Sequence, residues 1–407
     1  MAGTLRVLAN IRPFIGPTRW QKNVRLFSSS MPRSTPAERT LPAIFARGGT
    51  SNGLVLQRRD LPAENDWHTV LPSAMGSPDP YGRQLNGLGS GISSTSKVIV
   101  LSPPSRPDVS DVDYTFVQVG IKDGVLDKAG NCGNLSSLVG PMGLNEGLVA
   151  QPQLEEVDGK TMASVRIFNT NTSKVIVSRF AVVGNPPRYT PQGDYVMDGV
   201  PGSGNRITLR FLDPAGAKTG KALPTGNPVD ELKLDDGTTI PASLVDISNP
   251  GVFVRARDLG LADPEGLTPD IVEADPALKN KLAQIRRAGT SAMGLDPTIE
   301  SVPKIVILFS ETRSSDVDVR CLALSMGQAH KAVPLTLALC LGASCRIPGT
   351  IGSELLGQSP RAPDESVVIA HPSGTVDIGT TMGPAGEIVS ADLHRTARVL
   401  FTGQVHY

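Results

Sequence analysis

Aromatic side chains are scarce in this chain: 10 Phe, 5 Tyr and 2 Trp, 4% of 407 residues. Single-stranded nucleic acids are held largely by base stacking on such rings, and little is available for it here. An excess of charge is missing too. Lys and Arg total 39, Asp and Glu total 39, and the formal net charge is zero. A balanced chain lacks the basic footprint of a DNA- or RNA-binding protein. Cysteine is limited to Cys132, Cys321, Cys340 and Cys345, with no CxxC pair. That argues against a structural zinc site, and a disulfide framework is not expected in a chain this long. The five histidines are scattered, with no HExxH and no paired spacing, so no catalytic metal is expected. No apolar run reaches the ~18 residues of a membrane span. The longest candidate, VPLTLALCLGA from Val333, reads as a buried core helix. There is no GxSxG nucleophile elbow. Gly220-Lys221 does not complete a phosphate loop, and VPGSGNR does not complete a dinucleotide fingerprint.

What the chain does hold is 42 Gly, 34 Pro and 39% hydrophobic residues, enough for a proper core broken by many turns. The length suggests roughly two or three domains. Residues 1–38 differ from the rest. Arg6, Arg12, Arg19, Lys22, Arg25 and Arg33 precede the first acid, Glu38, and serines are interspersed. This is the composition of a mitochondrial transit peptide, and Arg25-Leu26-Phe27-Ser28 resembles a matrix-protease cleavage site. The expectation is a disordered leader and a matrix location. The alternative is internal initiation at Met31 and a cytoplasmic protein.

From residue 40 the pattern is that of an α+β fold. LPAIFARGGTSNGLVL reads as strand, tight turn at Gly48-Gly49, strand. SPDPYGRQLNGLGSGISSTSK, from Ser77, is loop. KVIVL and YTFVQVGI are strands, and GNCGNLSSLVGPMGL turns from a Gly-rich loop into a small-residue helix. SVRIFNT and KVIVSRFAVV follow as strands. The second half repeats this plan: RITLRFL, SLVDI, GVFVRA and KIVILFS are strand-like, and ADPALKNKLAQIRRAG is a surface helix. VDVRCLALSMGQAHKAVPLTLALCLGASC runs strand, Met-Gly turn, apolar helix. Each half is thus expected to wrap a mostly antiparallel sheet around one helix that is apolar nearly all round. The two helices are expected to start at Asn131–Gly133 and Met326–Gly327, facing a cleft between the halves.

Helix N-termini favour anions. Around the first one lie Thr50, Ser51, Ser93, Ser94, Thr95, Ser96, Asn131 and Asn134, with Arg47 and Lys97 adding positive charge. That suits a small polycarboxylate, although Ser/Thr/Gly clusters are also ordinary loop chemistry. Cys132 at a helix start near a lysine has its thiolate favoured, which suits acid/base or nucleophilic work; a small core residue is the plainer reading. Cys340 and Cys345 read as helix filler and Cys321 as strand core. His330, after Met326-Gly327, is either a cleft residue or a capping or surface histidine.

Six segments in order, ARGGTSNG, MGSPDPYGRQLNGLGSGISSTSKV, AGNCGNLSSLVGPMGL, VPGSGNRITLRFLDPAGAKTGK, LPTGNP and SMGQAHKA, resemble the PrpF-type isomerases. These include methylitaconate Δ-isomerase, aconitate isomerases and 4-oxalomesaconate tautomerase. The similarity runs from about Leu41 to Tyr407. It implies a diaminopimelate-epimerase-like fold: domains at 40–195 and 196–394, pseudo-symmetric, the first completed by a C-terminal strand at about 395–407. It implies cofactor-independent proton transfer in small unsaturated di- or tricarboxylates, and a homodimer as is common in the family. The lysine ending SSTSK and the cysteine of GNCGN, here Lys97 and Cys132, are implied as the acid/base pair, in an order the sequence does not fix. Arg47, Thr50, Ser51, Ser94, Thr95, Asn131, Gly133 and Asn134, with Gly327 and His330 from the second half, are implied as substrate-binding. The chain departs at RGGTSNG, where Asn52 stands for a family lysine; a cation beside the substrate carboxylates is expected to be missing. An epimerase or tautomerase on the same fold is the nearer alternative, disfavoured because the second half has no cysteine at Met326-Gly327. A non-catalytic accessory protein supporting an aconitase-type enzyme is the other.

Overall fold

The hydrophobic runs of the first half are buried on both faces. β1 (Thr40–Gly48), β2 (Ser51–Gln57), β3 (Lys97–Ser102) and β4 (Val112–Val119) form adjacent strands of a large mixed sheet. Successive side chains point to opposite faces. Leu54, Leu56, Val98, Val100, Val117 and Val119 pack on one face against helix α1 (Trp67–Met75), which the sequence reading missed. Val55, Ile99, Leu101, Tyr114 and Phe116 pack on the other, against helix α2 (Gly133–Asn145). A sheet covered on both sides needs continuous apolar strands such as KVIVL rather than strict alternation. The structure, a computed structural model, describes residues 39–261, 266–310, 316–357 and 366–407. The expected leader lies outside them.

Every α2 residue from Gly133 to Leu144 is buried. Its small residues allow this: a Cβ on Gly140 would sit 2.6 Å from Ser178 Oγ, on the strand Lys174–Val183. The helix Leu335–Ser344 is likewise buried throughout its ten residues. The helix Pro276–Ala292 is amphipathic, as expected. Asp275 caps it by accepting from Leu278 N–H, and it buries Leu278, Leu282 and Ile285.

Strand pairing follows one order twice. β1 and β2 are antiparallel, β2 and β3 parallel, β3 and β4 antiparallel. β4 is then parallel to Lys160–Asn169, which is antiparallel to Lys174–Val183. In the second half Thr239–Ile247 and Asn249–Arg255 are antiparallel, Asn249–Arg255 and Lys304–Ser310 parallel, Lys304–Ser310 and Val319–Ser325 antiparallel. Val319–Ser325 is then parallel to Val367–His371, which is antiparallel to Gly374–Met382. In each series the buried helix falls between the fourth and fifth strands. The C-terminal strand Ala397–His406 returns to pair with β1.

One helix start needs correcting. Met326 (φ 52°) and Gly327 (φ 69°) form a hairpin turn, and Gln328–Ala329 pairs back onto Leu324–Ser325. The helix begins at Leu335, with Pro334 at its N-cap. A proline has no N–H to give and a fixed φ, which suits a helix start. Among the described residues no helix is long and apolar enough to cross a membrane.

Candidate active site

The Gly/Ser/Pro loop before β3 is tied down by two side chains. The Asp79 carboxylate accepts from the N–H groups of Tyr81, Arg83 and Gln84. The buried Gln84 amide donates to Ser77 Oγ and Ser96 Oγ and accepts from Gly91 N–H. The loop so fixed delivers Ser93, Ser94 and Lys97 to a cavity of about 500 Å³.

Lys97 is buried at the first position of β3 and donates from Nζ to Gln118 Oε1. Gln118 Nε2 donates to the carbonyls of Ser93 and Ser96, which leaves its oxygen facing the amine. The Phe116 ring lies 5.2 Å from Nζ. Burial lowers the Lys97 pKa, opposed by the nearby Cys132 and Asp127. Cys132 is the N-cap residue of α2, half-buried on the same cavity, and its side chain makes no capping bond. Its sulfur is left for other chemistry.

The two buried helices meet at this point. A Cβ on Gly133 would sit 2.8 Å from the Leu335 side chain, so the first residue of one helix abuts the first residue of the other. Gly133, Asn134, Leu335 and Thr336 all line the cavity. Two positive helix ends and three lysines, Lys97, Lys304 and Lys331, line one space in which Asp127 is the acid among the described residues. Helix starts and lysines of this kind attract an anion. A dissociable amine and a thiol on the cavity wall can take a proton from such a molecule and return one.

Most of the expected site residues gather here: Thr50, Ser51, Ser94, Lys97, Asn131, Cys132, Gly133, Asn134 and His330 all line the cavity. Their roles divide. Asn134 accepts from Arg395 Nε at 3.1 Å and donates to Thr50 Oγ1 at 3.0 Å, so the Thr50 hydroxyl hydrogen is free to point elsewhere. Asn131 Oδ1 accepts from Tyr114 Oη, Ser136 Oγ and Asn169 Nδ2 in a buried network that holds the turn before α2. His330 Nε2 has no partner. Burial, Lys97 and Lys304 push its pKa down to about 4, so the ring is neutral at physiological pH.

Three expected residues do not line the cavity. Arg47 donates to the carbonyls of Gly49 and Thr396, holding the β1–β2 turn against the C-terminal segment. Thr95 is spent on Ser90 and the Ile92 carbonyl. Gly327 is a turn residue at positive φ, beside the lining Met326 and Gln328. Asn52 pairs across the hairpin with Arg47, and both lie outside the lining. Ser51 takes the cavity-facing position, and the next residue of a strand points the other way. The loss of a family lysine at Asn52 therefore removes no cation from the cavity wall.

The sequence reading missed Lys304, Gln118, Asp127 and Ser301. A signal for one was present: Lys304 heads KIVILFS as Lys97 heads KVIVLS. A lysine opening a strand that is otherwise buried has few places to put its charge except a cavity. Cys321, Cys340 and Cys345 are buried, with thiol pKa values pushed up by burial, and lie outside the cavity. Among the described residues no cluster of His, Cys, Asp and Glu could hold a metal ion.

An α+β fold brings an amine and a thiol to one positively biased cavity, an arrangement that suits acid–base chemistry on an anion. The chain belongs to the PrpF protein family, which matches residues 38–407. A 3-methylitaconate isomerase from Eubacterium barkeri is 35% identical over 90% of this chain and 97% of that protein. A 2-methyl-aconitate isomerase from Cupriavidus necator is 34% identical, covering 90% of this chain and 96% of that protein. A solved methylitaconate-delta-isomerase superposes with a TM-score of 0.71 at 35% identity, over 91% of this chain and 96% of that one. The chain is an isomerase.

Proposed function

We propose that this isomerase moves a double bond, or interconverts cis and trans forms, in a small unsaturated di- or tricarboxylate of the aconitate or methylitaconate class. The observation that carries the reading is the sharing of one anion-attracting cavity by the Lys97 amine and the Cys132 thiol. One of the pair removes a proton from carbon next to the conjugated system. The C–H electrons spread onto a carboxylate oxygen, and the other group returns a proton. In a double-bond shift it goes to the far carbon, so one hydrogen changes place and nothing is oxidised; in a cis/trans change the anion rotates about the carbon–carbon bond that has lost its double-bond character, and the proton returns to the carbon it left. Amine with thiol and ammonium with thiolate hold the same number of protons, and each arrangement contains one base and one acid. Helix N–H groups near Gly133, with Thr50, Ser51 and Ser94, stabilise the charge that develops. Asn131, Asn134 and Arg395 keep those groups in place. The Thr95, Arg47 and Gly327 positions support the walls from behind.

The repeated pairing order supports two pseudo-symmetric halves, with Ala397–His406 completing the first. A two-cysteine epimerisation finds a single thiol on the cavity among the described residues, which favours the lysine–cysteine pair. The acid-free, arginine-bearing stretch before Glu38 precedes the family match and reads as a mitochondrial address. A fluorescent reporter carrying residues 1–38 tests that assignment, and diffuse cytosolic signal would remove it.

The function is tested by incubating the purified chain with cis-aconitate, trans-aconitate, itaconate and their methylated relatives, and resolving products by chromatography. Conversion of at least one acid to a double-bond or geometric isomer, without added cofactor, is expected. An inert panel would contradict the reading.

A further inference from the structure

Lys304 occupies, in the second series of strands, the place Lys97 holds in the first. Each is the first residue of the third strand, the one parallel to its predecessor and antiparallel to its successor. Both line the cavity. Their surroundings differ. Lys97 is held by a side-chain amide beside Cys132. Lys304 Nζ donates at 2.7 Å to the Ser301 carbonyl, and among the described residues no carboxylate lies within ion-pair distance of it. Ser301 Oγ, on the same wall, is buried with no partner. His330 Nε2, also on the cavity, has none either. A largely buried ammonium without an acid, next to a buried hydroxyl without a partner, costs free energy unless a ligand completes both.

We propose that Lys304 and Ser301 form a second carboxylate-binding subsite, on the wall contributed by the second half of the chain. The subsite holds a carboxylate remote from the one at the helix ends, so that the reacting carbons lie between Lys97 and Cys132. It rests on the isomerase reading above and gives it a selectivity: acids with two separated carboxylates are preferred to monocarboxylates. Lys304 binds here and does not transfer the proton. The second subsite has a pH signature. Burial and the neighbouring Lys97 bring the Lys304 pKa down to about 8, against the opposing influence of Cys132 and Asp127. A bound carboxylate favours the ammonium, so binding draws in a proton above that pH and weakens as pH rises.

The experiment is calorimetric titration of the full chain with propane-1,2,3-tricarboxylate, which has no double bond to move, at pH 7 and pH 9.5. Lys304→Met is expected to lose at least roughly thirtyfold in affinity at pH 7, the scale of removing one partner from a buried charged pair. Lys304→Arg, which keeps the charge, stays within a few-fold at pH 7 and loses the weakening that the wild type shows at pH 9.5. In turnover, Lys304→Met raises KM far more than it lowers kcat. Circular dichroism checks that the variants fold, and Ser301→Ala gives a smaller loss in the same direction should Lys304→Met not fold. Wild-type affinity in folded Lys304→Met would overturn the subsite while leaving the isomerase reading intact. So would a fall in kcat with KM unchanged, which would make Lys304 a proton-transfer group. A wild type that neither binds the probe nor turns over any acid would overturn both.

Discussion

Lys97 and Cys132 were legible from a motif, because the SSTSK and GNCGN segments carry both. Replacing Lys97 by Ala or Cys132 by Ser is expected to lower kcat by about 10²–10⁴, with the circular dichroism spectrum unchanged. The rest of the cavity wall was less legible. Gln118 and Asp127 lie in or beside strands whose local pattern is ordinary, and only the tertiary fold turns them inward. Arg47 shows the reverse: a cation beside a Gly-rich turn reads as a ligand group, and in the structure it lies outside the cavity lining and donates to two backbone carbonyls. The titrating groups make two further predictions. With its pKa at about 4, His330 stays neutral across the working range, so His330→Gln leaves the shape of the kcat/KM profile between pH 5.5 and 9 unchanged. Disappearance of a limb near pH 6 in that variant would contradict this. For Lys304, the folded pKa of about 8 lies below the unfolded value of 10.5, so the unfolded chain binds more protons between them. Stability gains from this group as pH rises from about 8 to 10.5, and its cost is fully present below 8. Lys304→Met should therefore raise the urea midpoint at pH 7, by up to roughly 3 kcal/mol in unfolding free energy. The gain should fade by pH 10.5.

Among elements, the long runs were readable and the approaches to them were not. KVIVL, KIVILFS and the helix at Pro276–Ala292 follow from apolar patterning and, for the last, an aspartate cap ahead of a proline. The second buried helix was placed too early because Met326-Gly327 looked like the Gly-bearing start of the first. The hairpin there closes through pairing with Leu324–Ser325, a contact no local pattern announces. Helix α1 was missed: WHTVLPSAM is short and carries Pro72, and burial against the sheet sustains it. The α2 start is held from behind by a glycine. A Cβ on Gly48 would lie 2.6 Å from the Asn134 carbonyl oxygen, a backbone atom of the first helical turn. Gly48→Ala is thus expected to destabilise by about 1–3 kcal/mol in chemical denaturation. It should also lower kcat/KM, because relief requires the turn carrying Cys132 to shift. Unchanged stability would mean that β1 yields instead.

At the scale of the molecule, the repeated plan was visible as two series of strands, each leading to an apolar helix. The pairings give it content, with antiparallel and parallel steps alternating in the same order twice. That repetition brings two helix starts and two strand-opening lysines to one cavity, though they are remote in sequence. It also explains why the cavity was only half legible. Motifs marked the first-half wall, while the second-half wall became apparent through its correspondence to the first. The central claim is that one side chain takes the proton and a different one returns it. Both groups exchange protons with water, so the returned hydrogen comes from solvent. The direct measurement is a proton NMR time course in D₂O with whichever acid the chain converts. One deuterium per product molecule, with conversion lost in both Lys97→Ala and Cys132→Ser, is the predicted result. Product that keeps the substrate's own hydrogen, or turnover that survives in both variants, would contradict it.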